Sequence, residues 1–158
     1  MEKEILNLKN KDVWVIGGAG YLGQPTVKLL VAAGATVLCG DLGTKAADFV
    51  QTAGLADVVT PLSMDVRDES SIRDFVSSQV QERGIPHGLV NLTFASTAKK
   101  LEEVSGEEFD HANHGNLTAT FLLTREIGMQ MVSAGAGSIV LFSSMYGMVS
   151  PDPKPYEG

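Results

Sequence analysis

Apolar and polar positions follow two rhythms along this chain, and the order of those rhythms predicts its architecture. Val13-Trp14-Val15-Ile16 is an unbroken apolar run ending in glycines, the pattern of a strand buried on both faces. From Tyr21 to Ala33 the spacing is helical: Leu22, Thr26, Leu29, Leu30 and Ala33 share one face, and Gly34 stands where a C-terminal cap belongs. Pro25 fixes the helix start near Gly20, because proline is tolerated only in a first turn. Thr36-Val37-Leu38-Cys39 reads as a second strand, followed by a short helix from Thr44 to Thr52 that ends near Gly54. Val58 to Leu62 reads as a third strand, and Pro61 implies that its end lies at a sheet edge or outside the ladder.

The second half repeats the alternation. Asp68 caps a helix whose apolar face is Ile72, Phe75, Val76 and Val80. Gly88 to Leu92 is a fourth strand. Ser105-Gly106-Glu107-Glu108 fits a capping box, and one long helix is expected from there to about Ser133. Ser138 to Ser143 is a fifth strand, and the segment holding Pro151, Pro153 and Pro155 reads as a loop. Strands alternating with helices imply an α/β fold, a doubly wound parallel sheet in three layers, α/β/α. Residues 1–158 read as a single domain, with no internal repeat and no linker.

Composition narrows the function classes. Hydrophobic residues make up 44% and charged residues 20%, the balance of a globular chain. No stretch reaches the ~18 apolar residues that span a bilayer, and Met1-Glu2-Lys3-Glu4 carries no apolar signal core, so a cytoplasmic location is the expectation. The net charge is −7 with no cluster of Lys and Arg, which argues against nucleic acid as a partner. The single cysteine, Cys39, excludes an internal disulfide and reads as a buried strand thiol.

The chemistry begins at Gly17-Gly18-Ala19-Gly20-Tyr21-Leu22-Gly23, which follows a strand and opens a helix. That is the context of a Rossmann-type dinucleotide fingerprint. Glycines permit the tight turn and the close approach of backbone to a pyrophosphate, and the helix N-terminus offers free N–H groups. Two registers fit, Gly18-Gly20-Gly23 and Gly17-Gly20-Gly23. Asp41 lies 18 residues after Gly23, just past the second strand, where a carboxylate accepts hydrogen bonds from ribose hydroxyls and repels a 2′-phosphate. NAD is therefore expected over NADP, and no Lys or Arg adjoins Asp41 before Lys45.

With these residues in view, the chain resembles the short-chain dehydrogenase/reductase family along essentially its whole length. Asp65-Val66 resembles the family's acidic pair beside the adenine ring, and Leu89-Val90-Asn91 the start of its fourth-strand motif. Asn116 to Phe121 resembles the N-L-x-x-x-F stretch of the long helix, and Gly137 to Ser144 the fifth strand leading to the catalytic serine. The chain departs from the pattern at Ile16, where threonine is usual, and at Tyr21, where glycine is usual. The Gly17-Gly20-Gly23 spacing is closer to the family's extended, sugar-nucleotide branch. Phe94 replaces a glycine and is expected to crowd the floor of the nicotinamide site.

The resemblance implies a cofactor site of Gly17, Gly20, Tyr21, Leu22, Gly23, Asp41, Leu42, Asp65, Val66 and Asn91. It implies hydride transfer on an alcohol/carbonyl pair, with Ser144 bonding the substrate oxygen and Asn116 holding a water in a proton relay. Read from the residues alone, Asn116 falls on an apolar helix face with Phe109, Ala112, Ala119, Thr120, Leu123 and Ile127, and a buried amide there must find hydrogen bonds. It then serves equally as a structural asparagine bonded to backbone, and both roles are compatible.

The family's acid/base is a tyrosine followed four residues later by lysine, whose charge lowers the tyrosine pKa. Tyr21, Tyr146 and Tyr156 are the only tyrosines, and no Y-x-x-x-K occurs. Tyr156 lies 12 residues past Ser144, and its lysine would fall at position 160. Two readings stay open: Tyr156 is the acid/base, or Pro151 to Gly158 is an extended loop preceding the true pair. A similar run in some bacterial members points towards a sugar derivative as substrate. The expectation is a cofactor-binding portion that lacks the C-terminal strands and helices of a homo-oligomeric enzyme, and that is inactive alone. The alternative is a nucleotide-binding or interaction module without turnover. No metal is expected: His111 and His114, with Asp110 beside them, read as solvated helix residues, and Lys99, Lys100, Glu102 and Glu103 as a charged solvent face.

Overall fold

The sheet grows outward from β1 (Asp12–Ile16), whose side chains alternate between two apolar layers. The computed structural model describes residues 6–149. In it β1 lies between β2 (Thr36–Asp41) and β4 (Gly88–Asn91), β3 (Val59–Ser63) flanks β2, and β5 (Ser138–Leu141) flanks β4. Every pairing is parallel, in the order β3-β2-β1-β4-β5. Pro61, which has no N–H to donate, sits in the edge strand β3 opposite Cys39, as the sequence requires.

Parallel strands need crossover helices, and these cover both faces. Val13, Val15, Val37, Cys39, Val59 and Val90 point to one side with Val27 of α1 (Gly23–Ala32) and Phe49 and Val50 of α2 (Lys45–Thr52). Trp14, Ile16, Leu38 and Leu89 point to the other. There they meet Ile72, Phe75 and Val76 of α3 (Glu69–Arg83), and Leu122, Leu123, Ile127 and Met131 of α5 (Ala119–Ala134). The Trp14 and Phe75 rings meet edge to face at 5.7 Å. This is the three-layer α/β/α arrangement that the alternation predicts.

Local signals set most of the ends. The Asp68 side chain accepts from the Ser70 N–H at the start of α3, and Ser105 forms a full capping box with Glu108 on α4 (Gly106–Asn113). Gly34 and Gly54 follow α1 and α2 with left-handed backbones, and the next N–H reaches back to Leu30 O and Val50 O respectively.

Four expectations are corrected. The first helix starts at Gly23, not Tyr21, and its buried face is Gly23 and Val27 with Leu30 and Val31 half-buried; Leu22 and Leu29 face outward. The cause is Gly23, which packs against the turn through its lack of a side chain and so carries no hydropathy signal. The long helix runs from Gly106 to Ala134 as expected, but a π turn (His114–Thr118) lies within it between α4 and α5. That turn shifts the phase, so Phe109 is 60% exposed and does not share the buried face of Ala119, Leu123 and Ile127. The fifth strand ends at Leu141 instead of Ser143, and the fourth at Asn91 instead of Leu92. Tyr156 and the proline-rich segment from Pro151 lie outside the described residues.

Candidate functional site

A cleft of about 520 Å³ opens at the carboxyl ends of β1, β2, β3 and β4. Open α/β sheets bind ligands at this edge, beside the strand where the winding direction reverses, which here is β1. The floor is the glycine turn. Gly17 has φ +80°, and a Cβ on it would stand 2.8 Å from the Leu92 carbonyl. A Cβ on Gly23 would stand 2.2 Å from Gly17 O and 2.5 Å from the Gly18 carbonyl carbon. Side chains at either place would push the turn out of the cleft.

The turn is tied to its neighbours by its first three N–H groups. Those of Gly17 and Gly18 donate to Gly40 O, and that of Ala19 donates to Asp41 Oδ2 at 3.0 Å. The Asp41 Oδ1 accepts from the Leu42 N–H at 2.8 Å. Among the described residues, the N–H groups of Tyr21, Leu22 and Gly23 have no acceptor, and they begin a ten-residue helix. Three free donors at the positive end of a helix dipole are suited to an anion. Cys39 packs beneath this turn, where a Cβ on Gly18 would meet its Sγ at 2.6 Å. Burial, and secondarily the Asp41 charge, push its thiol up to about 12, so it stays protonated and serves as packing.

Nine of the ten expected cofactor residues line this one cleft: Gly17, Gly20, Tyr21, Leu22, Gly23, Asp41, Leu42, Asp65 and Val66. Asn91 stands apart. It is 5% exposed; its Nδ2 donates to Thr120 Oγ1 and its Oδ1 accepts from both the N–H and the hydroxyl of Thr93. Asn116 does not line the cleft either, although Gly115 beside it does. Its amide clamps one backbone unit, accepting from the Ala95 N–H at 2.9 Å and donating to Ala95 O at 2.8 Å. From its place in the π turn, Asn116 thus bonds loop backbone through both atoms of its amide. Ser144 is exposed beyond β5, and its Oγ accepts from the Tyr146 N–H in a short 3-10 turn, Met145–Gly147.

Sequence reasoning missed Lys45, Arg67 and Thr93 as lining residues, while Phe94, expected at the floor of the nicotinamide site, lines this cleft. Lys45 makes no ion pair among the described residues. Arg67 grips Asp65 with a fork, Nε to Oδ1 at 2.9 Å and Nη2 to Oδ2 at 2.7 Å. Those hydrogen bonds hold the Asp65 carboxyl below the ordinary carboxylate range, so it is charged near neutrality. The spacing of two between Asp65 and Arg67 after a strand was the available signal.

Among the described residues no group of three or more His, Cys, Asp and Glu is arranged to hold a metal, and no helix is long and apolar enough to cross a membrane. The His114 ring nitrogen instead meets Arg67 O at 2.9 Å.

Known proteins resemble this chain in sequence and in fold. The family described as short chain dehydrogenase matches residues 11–156. A 3-oxoacyl-[acyl-carrier-protein] reductase of Thermotoga maritima is 30% identical over 90% of this chain and 59% of its own length. A cyclopentanol dehydrogenase of Comamonas testosteroni is 34% identical over 95% of this chain and 61% of its own. The crystal structure of gox2181 superposes with a TM-score of 0.87 at 28% identity, covering 95% of this chain and 60% of that one. The chain thus spans about three-fifths of the length of the relatives it matches.

Proposed function

The chain belongs to the short-chain dehydrogenase family, and from that premise we propose that its cleft binds NAD(H) as the cofactor-binding part of an oxidoreductase acting on an alcohol/carbonyl pair. One observation carries the reading. The unpaired N–H groups of Tyr21, Leu22 and Gly23 open into the same cleft as the Asp41 carboxylate, so a diphosphate and a neighbouring ribose each meet a complementary group. The lack of a side chain at Gly17 and Gly23 is what lets the turn pack tightly enough to present these N–H groups at the helix start. Asp65 and Val66 border the adenine, and the Asp41 charge disfavours a 2′-phosphate.

The nicotinamide ring, when bound, supplies or takes up the hydride. This chain's own groups hold and orient. Ser144 Oγ has a free proton to donate to a substrate oxygen, since its mapped bond is as acceptor. Asn116 fixes the loop after β4 through Ala95, which leaves a water in the relay to its backbone neighbourhood. The relatives' names support an alcohol or ketone as the substrate class, as in cyclopentanol and a 3-alpha-(or 20-beta)-hydroxysteroid. The run from Pro151 to Gly158 is the support for a sugar derivative within that class. A homo-oligomer is supported by exposed Leu117, Phe121 and Val132 on one side of the π turn and α5.

Within these 158 residues no tyrosine is followed four places later by lysine. These residues therefore supply no lysine-assisted proton donor, and we expect binding without dehydrogenase turnover. Calorimetric titration with NADH and NADPH tests the binding. Heat on NADH, weaker heat on NADPH, supports it; silence from both at millimolar concentration refutes it. Turnover well above a Ser144→Ala control would overturn the inactivity.

A further inference from the structure

Two histidines, three residues apart where α4 runs into the π turn, both meet Arg67, and their contacts demand opposite protonation. His111 Nε2 lies 3.4 Å from Arg67 Nη1. A guanidinium only donates, so this Nε2 must be the bare, accepting nitrogen of a neutral ring, with the proton on Nδ1. His114 Nε2 lies 2.9 Å from Arg67 O. A carbonyl only accepts, so this Nε2 must carry a proton, which a neutral ring and an imidazolium supply equally. We propose that His111 is a pH-operated latch joining α4 to the loop between β3 and α3. It is closed when the ring is neutral and released when the ring gains a proton, while His114 stays tethered in both states.

The surroundings give the latch its leverage. α4 buries no side chain, so polar contacts carry much of its hold on the body. At its start these are the bonds of Glu108 with Ser105 and Lys99. Near its end the polar contact to another element is that of His111 with Arg67. His111 sits in an open groove with Asp65, Arg67 and Asp68 on the β3–α3 side and Glu107, Asp110 and His114 on its own. A proton on Nε2 removes the acceptor and sets two cations against each other. The four carboxylates then offer the imidazolium other partners.

The closed latch therefore holds one proton fewer at this ring than the open one, and acid opens it. The grip on Asp65 uses Arg67 Nε and Nη2 while the latch uses Nη1, so opening leaves that fork in place. Glu108, drawn down to about 2, keeps its charge across the range in which an imidazole titrates, so the start of α4 does not respond with its end.

Ring-nitrogen NMR and amide hydrogen exchange on the 158-residue chain test this between pH 8 and pH 5. At pH 8, His111 is expected as the Nδ1–H tautomer and His114 as the Nε2–H tautomer. Protection of the α4 amides, taken relative to α3 and corrected for intrinsic exchange, is expected to fall several-fold as the pH drops to 5. His111→Gln, whose carbonyl oxygen accepts from Arg67 without titrating, is expected to keep protection at both pH values, and His111→Lys to lack it at both. His114→Gln should keep the pH response of the parent. Both positions are exposed, so these variants are expected to melt with the parent. An Nε2–H tautomer for His111 at pH 8 would overturn the latch. So would α4 protection that is the same at both pH values in the parent, or a fall that persists undiminished in His111→Gln.

Discussion

The carboxyl edge of the sheet is built by two different means on its two sides. At the ends of β1 and β2 the backbone is the device: the turn from Gly17 to Gly23 has clearances down to 2.2 Å, and Ala19 is tied to Asp41 across the strand gap. At the ends of β4 and β5 side chains do the positioning. Asn91 and Asn116 brace a loop, Ser144 stands exposed, and Val140, Leu141 and Phe142 are each about half exposed. The difference teaches where this chain tolerates change. A site made of backbone admits almost no added atom, while a site made of side chains depends on individual bonds that can be removed one at a time.

The sharpest way to break that comparison is Gly23→Ala. The added methyl meets carbonyl atoms of Gly17 and Gly18, which are backbone and cannot swing aside. We expect a destabilisation of about 1–3 kcal/mol, as for overpacking elsewhere, and loss of detectable NADH binding. Thermal melts and titration read both; a variant that melts and binds like the parent would show that the turn is not rigid.

Asp41→Ala probes the same side more gently. It removes the acceptor for Ala19 and Leu42 and the charge that opposes a 2′-phosphate, while Lys45 remains in the cleft. NADH affinity is expected to fall about tenfold, by the loss of charge-assisted hydrogen bonds, and the NADH-to-NADPH preference to narrow or invert. Unchanged preference in paired titrations would remove Asp41 from the ribose site.

On the other side, β5 is an edge strand with half-exposed apolar side chains and, among the described residues, no outer partner. Such an edge pairs with other chains. The 158-residue chain is expected to self-associate, and Val140→Lys to raise the concentration at which it does so several-fold, read by light scattering. A monodisperse monomer that melts cooperatively would contradict this.

The same contrast explains what could be read from sequence. Strands buried on both faces announce themselves, as Val13 to Ile16 does, and so do caps whose partners are three residues apart, as Ser105 and Glu108 are. The glycine turn was legible because its function is its lack of side chains. The face of α1 was misjudged because Gly23 packs without being hydrophobic, whereas Leu22 and Leu29 are hydrophobic without packing. The π turn left no signal, since inserting one residue into the helical hydrogen bonding alters phase and not composition. Lys45 was missed because a charge joins a cleft through folding, and nothing local marks it as different from a solvated one; Arg67 left a single signal, its spacing of two from Asp65 after a strand.

The smallest expected effect lies on the side-chain-built half, in the pH response of the α4 cap. Glu108 is bonded first by the Lys99 ammonium, then by the Ser105 N–H, and its carboxyl is drawn down to about 2 from an ordinary 4.5. A depressed carboxylate stabilises the fold fully above its unfolded pKa and loses that contribution as pH falls towards the folded value. The contribution is thus complete at neutrality and fades between pH 4.5 and about 2. Because the pair is exposed, the effect on melting is expected to be small, a degree or two rather than ten. Glu108→Gln should lower Tm slightly at pH 7, with the gap to the parent shrinking steadily below pH 4.5 and also shrinking in high salt. A gap that stays constant down to pH 3 would mean that the cap acts through neutral hydrogen bonds, and that the charge of Glu108 contributes nothing to holding the start of α4.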